Sequence, residues 1–266
     1  MGDVIMRVEN VGVRFGGLWA LSGVSFDVER GAVVGLIGPN GSGKTTLMNV
    51  LSGVLRPTTG AVYYGEKKIA DVPTHEVCRL GIARTFQIVK PFANLTVLEN
   101  VAVGAMYGRD GAKRTTSRAF AAAYELLERV GMARIADRPA SELTTPDRKR
   151  LEVAKALALD PEVLLLDEVM AGLNLAEVDE ALRLLREINE SGVTLIVVEH
   201  LMKAIMLIST SIVVLAEGKK IAEGTAAEVT TSQAVVEAYL GSRFADRQAR
   251  LAEMRREAEQ SGRGAS

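Results

Sequence analysis

Residues with the spacing of a phosphate-binding loop lie near the start of the chain. The segment GPNGSGKT runs from Gly38 to Thr45 and places a lysine and a hydroxyl residue after its last glycine. Glycines let the backbone N–H groups of a loop face an anion, and a following helix adds its positive end. An apolar run precedes the segment and a helical pattern follows it, which is the context such loops need. The segment predicts a nucleoside triphosphate site, in which Lys44 reaches the β and γ phosphates and Thr45 holds Mg²⁺.

The prediction extends to the first turn of the following helix. A structural Gly-rich turn is the alternative, but a chain of this length would match the pattern by chance in only about one case in a hundred. The residues expected to contact ATP are Gly38, Pro39, Asn40, Gly41, Ser42, Gly43, Lys44, Thr45 and Thr46.

Two adjacent carboxylates follow a second apolar run, VLLLDE, at residues 163–168. The carboxyl end of a buried strand is where α/β sheets place their ligands. Asp167 is expected to hold Mg²⁺, and Glu168 to orient or deprotonate an attacking water. Taken alone, the pair would more often be a helix cap or surface charge; beside Lys44 and Thr45 the catalytic interpretation is favoured.

His200 follows a third apolar run, at residues 193–198. A lone histidine is ordinarily a structural residue. At the end of a strand in the same sheet, however, it could reach a γ-phosphate or the water beside it. His75 follows Pro73 among polar residues and is interpreted as a surface loop residue.

Hydrophobic patterning predicts the elements that position these residues. The rhythm of strands and helices in the later part of the chain indicates a parallel sheet, after an antiparallel beginning. Residues 95–159 have the three- and four-residue apolar spacing of helices. Strands are expected at residues 4–13, 24–28, 32–37, 163–166, 193–198 and 212–215, a hairpin-like segment at 60–69, and further helices at 44–55 and 176–189.

The composition limits the class of protein. The 266 residues are 48% hydrophobic with a net charge of −1, which indicates a globular protein and gives no support for nucleic-acid binding. The single cysteine, Cys78, cannot form an internal disulfide, and a reducing compartment fits best. No apolar run approaches the roughly 18 residues of a membrane span, and the N-terminus does not look like a secretory signal, so a cytoplasmic location is expected.

The order of these motifs resembles the nucleotide-binding domains of ABC transporters. The phosphate loop, Gln87 after a β segment, a helical insert, VLLLDE and His200 follow one another as in that family, over the chain to about Gly241. The strings GIARTFQ, PFANLTVLENV, LDEVMAGLN, VVEHLMKAIM and EGTAAEV look like the ATP-binding subunits of branched-chain amino acid importers.

The resemblance implies an α/β fold: a P-loop NTPase core with an antiparallel β-subdomain and an inserted α-helical subdomain. The ATPase core with its β-subdomain would comprise residues 1–89 and 160–241, and the helical subdomain with the signature segment residues 90–159. Residues 242–266, rich in Arg, Glu, Gln and Ala, would form a charged, solvated tail.

The resemblance also assigns roles to single residues. Phe15 would stack on adenine, Gln87 would sense Mg²⁺ and the attacking water, and His200 would contact the γ-phosphate. The catalytic set is then Glu168, His200, Gln87 and Lys44, and the metal set Thr45, Gln87 and Asp167. Their alternatives are a core aromatic for Phe15, a surface amide for Gln87 and a strand-end polar group for His200. Asn174 would face a second subunit, whereas Trp19 and the nine methionines are interpreted as packing residues.

The signature segment departs from the family pattern. Where the family usually has LSGGQ, this chain has LTTPD, at residues 143–147. Thr144, Thr145 and Asp147 would contact ATP from a helix N-terminus. Pro146 lacks a backbone donor and Thr145 adds bulk, so we expect weakened or altered binding of the γ-phosphate by this segment.

The resemblance further implies an ATP-dependent dimer with a second ATPase subunit, identical or paralogous. Transmembrane permease subunits would dock near Gln87 and the helical insert, on the cytoplasmic face of the membrane, and an extracytoplasmic solute-binding protein would act indirectly. The cargo would be branched-chain amino acids or a related small polar solute. Alternatives are the ATPase of an exporter or lipid transporter, a non-transport ABC protein of repair or translation, and a regulatory nucleotide-binding module.

Overall fold

The computed structural model describes residues 2–85, 91–109 and 115–239, within which two β-sheets are flanked by helices. The first sheet has four antiparallel strands in the order β2-β1-β4-β5. The second has six strands in the order β10-β9-β3-β8-β7-β6. The strands are β1 (Val4–Phe15), β2 (Leu18–Glu29), β3 (Val33–Ile37), β4 (Thr59–Tyr64), β5 (Lys67–Lys68), β6 (Ile82–Arg84), β7 (Val163–Asp167), β8 (Thr194–Val198), β9 (Ser211–Ala216) and β10 (Lys219–Gly224).

The α-helices of the described residues pack against the sheets through apolar side chains. Helices α3, α4 and α5 pack on one another and lie inside the segment predicted as a helical subdomain. Their bounds are α1 (Lys44–Leu51), α2 (Thr74–Leu80), α3 (Val97–Tyr107), α4 (Thr116–Arg129), α5 (Thr145–Leu157), α6 (Leu175–Glu190), α7 (Met202–Ile208) and α8 (Ala226–Thr231), with a further helical stretch at residues 233–239.

The larger sheet is buried on both faces. Five of its strands are parallel, from β9 through β3, β8 and β7 to β6, and only the edge strand β10 runs antiparallel. In β3, Val34 and Leu36 face a core shared with the smaller sheet, whereas Val33 and Ile37 face a core shared with the helices. Burial on both faces explains the continuous apolar runs of the parallel strands. The parallel arrangement predicted from the sequence is confirmed.

Several local features differ from the predictions. Helix α1 ends at Leu51 rather than residue 55, because Gly53 adopts a left-handed conformation (φ 69°) just after the Ser52 cap. His75 is exposed as predicted, but it lies in helix α2 and not in a loop. Strand β10 has no counterpart among the predicted strands, because its KKIAEG sequence is mostly polar on an edge.

Capping side chains fix the starts of several helices. Thr96, Asn174 and Thr225 each form a capping box with a glutamate three residues on, at the starts of α3, α6 and α8. Asn174, predicted to face a second subunit, therefore has its side chain engaged with the backbone N–H of Glu177. None of the described helices has the length and apolar character needed to cross a membrane.

Candidate functional site

The site is built where the parallel strands end. Strand β3 leads into the GPNGSGKT loop, β7 ends at Asp167, and His200 follows β8. Since β3 pairs with β8 and β8 with β7, the three carboxyl ends lie side by side at one edge of the sheet. This topology brings together the phosphate loop, the acidic pair and the histidine that the sequence placed far apart.

The phosphate loop takes a conformation that requires glycine. At Gly43 the backbone φ is +104°, and a Cβ atom there would lie 2.7 Å from the carbonyl oxygen of Ala20. At Gly38 a Cβ would lie 2.1 Å from the carbonyl oxygen of Leu215. The loop is therefore fixed by close approach of neighbouring backbone, in addition to the left-handed turn.

The N-terminus of α1 is available for an anion. Its N-cap, Gly43, supplies no side-chain cap, and its first turn contains no acidic residue. Within the described part of the chain, the buried hydroxyl of Ser42 has no hydrogen-bond partner. A helix N-terminus leaves four backbone N–H groups without intrahelical partners, which suits phosphate oxygens.

Lys44 is held over the loop. The residue is 7% exposed, and its ammonium donates hydrogen bonds to the carbonyl oxygens of Gly38 and Pro39, at 2.8 and 2.9 Å. Burial lowers the pKa of Lys44, and the negative charges of Glu168 and Asp167 partly offset that effect. The cation is thus positioned between the loop and the acidic pair.

Asp167 is paired with a buried arginine. The Asp167 carboxylate lies 2.8 Å from the guanidinium of Arg84, and both side chains are almost fully buried. The same guanidinium donates to the side chain of Asn49 at 2.7 Å and to Ser52 at 3.2 Å. Arg84, which the sequence analysis did not single out, therefore fixes the carboxylate predicted to hold Mg²⁺ against helix α1.

Glu168 and His200 form a pair. The Nε2 atom of His200 lies 2.8 Å from Oε1 of Glu168, and half of the His200 side chain is exposed. Glu168 has a left-handed backbone (φ 52°), which non-glycine residues rarely adopt and which often marks functional sites. The carboxylate predicted to act on water is therefore oriented by the histidine predicted to contact phosphate.

The phosphate loop, Glu168 and His200 line an open cavity, whereas the buried Asp167 does not reach its surface. Trp19, interpreted from the sequence as a packing residue, is 43% exposed and lines the cavity. The closeness of Trp19 to Phe15 on one hairpin, where Trp19 pairs with Arg14, could have indicated that Trp19 lines the nucleotide cavity. Phe15 itself is exposed at the end of β1, and its cross-strand partner Leu18 lines the cavity. The lining comprises residues 18–20, 40–46, 168, 200 and 217–218.

Comparison with known proteins assigns a family to this arrangement. A family model described as ABC transporter matches residues 21–171, more than half of the chain. The chain belongs to the ABC transporter family. A second model, described as Branched-chain amino acid ATP-binding cassette transporter, matches residues 219–245. The chain is accordingly an ABC-type ATPase, a nucleotide-binding enzyme coupled to transport.

Relatives match this ABC ATPase along nearly its whole length. It is 38% identical to LivG of Salmonella typhimurium, a high-affinity branched-chain amino acid transport ATP-binding protein. The alignment spans 253 residues and covers 91% of this chain and 99% of LivG. BraF of Pseudomonas aeruginosa, named in the same way, is 37% identical with the same coverage. The probable branched-chain amino acid transport ATP-binding protein of Archaeoglobus fulgidus is 37% identical and covers 90% of this chain and 96% of that protein.

Solved structures of ATP-binding cassettes have the same fold. A nucleotide-free cassette from an ABC transporter superposes with a TM-score of 0.81 at 32% identity, covering 89% of this chain and 98% of that one. A cassette in its ADP conformation gives 0.80 at 32% identity, covering 90% and 99%. The predicted fold, a P-loop core with an antiparallel sheet and inserted helices, is confirmed.

Other predicted residues of the ABC ATPase lie away from this cavity. Thr144 caps α5: its hydroxyl accepts from the N–H of Asp147 and lies 2.7 Å from the Asp147 carboxylate. Neither of these residues nor Thr145 lines the cavity. Gln87, predicted to be catalytic and a metal ligand, lies outside the described residues, as does the predicted tail at 242–266.

The residues at the phosphate loop fit a magnesium–nucleotide complex. Thr45, exposed in the first turn of α1, and Asp167, at the end of β7, supply the oxygen ligands that Mg²⁺ prefers. Among the described residues no group of three or more His, Cys, Asp or Glu side chains could hold a metal on its own. Because Mg²⁺ prefers oxygen ligands, we expect Thr45, Asp167 and phosphate oxygens to hold it jointly.

Proposed function

We propose that this chain is the ATP-hydrolysing subunit that powers an importer of branched-chain amino acids or a related small polar solute. One observation carries the catalytic part: a buried lysine on an uncapped helix N-terminus faces a cavity shared with the Glu168–His200 pair. The cargo rests on the names of LivG and BraF and on the match at residues 219–245.

In the proposed reaction the chain first binds the triphosphate. The free N–H groups of α1 and the Lys44 ammonium would bind the β and γ phosphates. Mg²⁺, held by Thr45 and Asp167, would neutralise charge on the phosphate oxygens. Adenine would rest against the hairpin that carries Phe15 and Trp19.

Hydrolysis then needs an oriented water. Glu168 would accept a proton from the water that attacks the γ-phosphate, and His200 would hold the Glu168 carboxylate through the 2.8 Å contact. The products are ADP and inorganic phosphate. The predicted role of Gln87 beside this water is retained as part of the proposal.

The same proposal places the chain in a dimer at the cytoplasmic face of the membrane. Thr144, Thr145 and Asp147 lie away from the chain's own phosphate loop, which fits their predicted contact with ATP held by a second subunit. A post-hydrolysis dimer of a related ATP-binding cassette bound to ADP and phosphate, 26% identical with a TM-score of 0.76 over 83% of this chain and 98% of that one, supports the arrangement. Permease subunits would dock near Gln87 and the helical insert.

The first experiment blocks hydrolysis and measures assembly. We expect Glu168→Gln to lower ATP turnover by at least about 100-fold, because the general base is lost, while Mg²⁺ and ATP convert the monomer into a dimer in light scattering. Glu168→Gln combined with Lys44→Ala is the control and should remain monomeric. A persistent monomer with ATP binding intact would contradict assembly of this chain with itself.

A second candidate function is a regulatory module that binds nucleotide without turnover. The observation that favours it is Pro146, which removes a backbone N–H from the first turn of α5. Wild-type turnover no faster than that of Glu168→Gln would support this module.

The cargo is tested by reconstituting the complete transporter in vesicles and measuring ATP turnover. Stimulation of turnover by leucine supports the importer of branched-chain amino acids, and stimulation by urea or an amide alone selects the other solutes.

A further inference from the structure

The catalytic glutamate, Glu168, begins a turn with a backbone conformation that non-glycine residues rarely adopt. Residues 168–171 follow strand β7, and Glu168 has φ 52°. Its N–H donates to the carbonyl oxygen of Val198 at 2.9 Å, which ties the start of the turn to strand β8. A left-handed non-glycine residue persists only where surrounding contacts hold it.

One such contact comes from the core of the sheet. The buried carboxylate of Glu199, 3% exposed, accepts the backbone N–H of Met170 at 2.7 Å. Burial raises the pKa of Glu199, while this hydrogen bond and the charge of Lys149 act in the opposite direction. The middle of the turn is therefore fixed from the end of β8.

The other contact comes from the helical insert. The half-buried ammonium of Lys149, on α5, donates to the carbonyl oxygen of Glu168 at 2.8 Å and also to that of Ala171. One side chain thus spans both ends of the turn. Charge-assisted hydrogen bonds of this kind are about twice as strong as neutral ones.

Lys149 also belongs to the helix that presents the signature segment. Helix α5 begins at Thr145, is capped by Thr144, and reaches Lys149 in its second turn. We propose that Lys149 is a positioning residue: it holds the backbone of Glu168 in its catalytic conformation and joins that residue to the signature end of α5. The inference rests on the proposed ATPase function. In the proposed dimer, ATP bound to the second subunit contacts the signature end of α5 in this chain. A movement of α5 caused by that contact would reorient Glu168 through Lys149, so that hydrolysis at one site depends on ATP at the other.

The test separates an effect through Glu168 from a general loss of structure. We expect Lys149→Met, in the full chain, to lower kcat on the order of 10- to 100-fold, as small misplacements of reacting groups do, with KM for ATP changed by less than about twofold. Lys149→Arg keeps a charged donor for the two carbonyl groups and should recover kcat to within about threefold of wild type. Lys155→Met is the matched control, because Lys155 lies on the same helix but pairs with Glu152.

The decisive measurement is a double-mutant cycle. If Lys149 acts through Glu168, Lys149→Met should leave the residual turnover of Glu168→Gln unchanged. The same fractional loss in both backgrounds would overturn the inference, as would wild-type kcat in Lys149→Met. If Lys149→Met does not fold, the cycle is run with Lys149→Gln. A wild-type protein without ATPase activity would instead overturn the proposed function.

Discussion

At the scale of single residues, the carboxylate of Asp167 is constrained by its buried partner. Replacing Arg84 with Gln should destabilise the fold by about 3–5 kcal/mol, because a buried charge loses its counter-ion. Urea unfolding measures this loss.

The double variant Arg84→Gln, Asp167→Asn is the control for this pair. It should recover part of the stability, since neither charge remains. A single variant as stable as wild type would contradict the importance of the 2.8 Å contact.

Trp19 offers a spectroscopic test at the same scale. It is the only tryptophan of the chain and lines the cavity, so MgATP should change its fluorescence. Trp19→Ala should raise KM for ATP about five- to tenfold, the equivalent of about 1 kcal/mol of aromatic contact. Lys44→Ala should abolish the fluorescence response. Unchanged emission at saturating ATP would place the nucleotide away from Trp19.

At the scale of elements, the proposed contact between the signature segment and phosphate depends on the start of α5. Pro146 lies in the first turn, where its missing N–H removes one of the donors that a helix offers to an anion. Thr145→Gly combined with Pro146→Gly should tighten ATP-driven dimerisation of the Glu168→Gln protein severalfold in light scattering. Unchanged or weaker dimerisation would show that the donor is not used.

The sequence predicts an element well where neighbouring residues determine its conformation, and poorly where contacts with distant residues determine it. The glycine spacing of residues 38–45 predicts a loop because the conformation at Gly43 depends on residue type. Lys149 carried no local signal, since its partners Glu168 and Ala171 lie 19 and 22 residues further along the chain. Strand β10 was missed because an edge strand can be polar, and the pairing of Arg84 with Asp167 depends on the order of strands, which periodicity does not encode.

At the scale of the whole molecule, Glu162 joins three distant parts of the chain. Its carboxylate contacts Arg30, after β2, at 2.6 Å, and also Arg109, beyond α3. The hydrogen bond from Arg30 is the main reason that the pKa of Glu162 is lowered, and Arg109 adds to it. A lowered pKa contributes stability above the unfolded value, near pH 4.5, that is lost as the pH falls through the folded value.

Glu162→Gln should therefore destabilise the protein at pH 7 by about 0.5–1 kcal/mol, a modest figure because these side chains are partly exposed. The difference from wild type should shrink as the pH falls below about 4.5, between the unfolded-state pKa and the lower folded-state pKa of Glu162. Chemical unfolding at several pH values measures it. A difference that stays constant with pH would show that the carboxylate charge is not responsible.

The strand order has a consequence for how the protein is made. Strand β3, which carries the phosphate loop, pairs only with β8 and β9 among the described strands, and both come late in the chain. A ribosome that has released the first half of the chain has therefore exposed VVGLI with no neighbour to complete its ladder. Until the last third emerges, the nascent chain has an aggregation-prone strand and no nucleotide site, so we expect its synthesis to depend on chaperones that shield this segment.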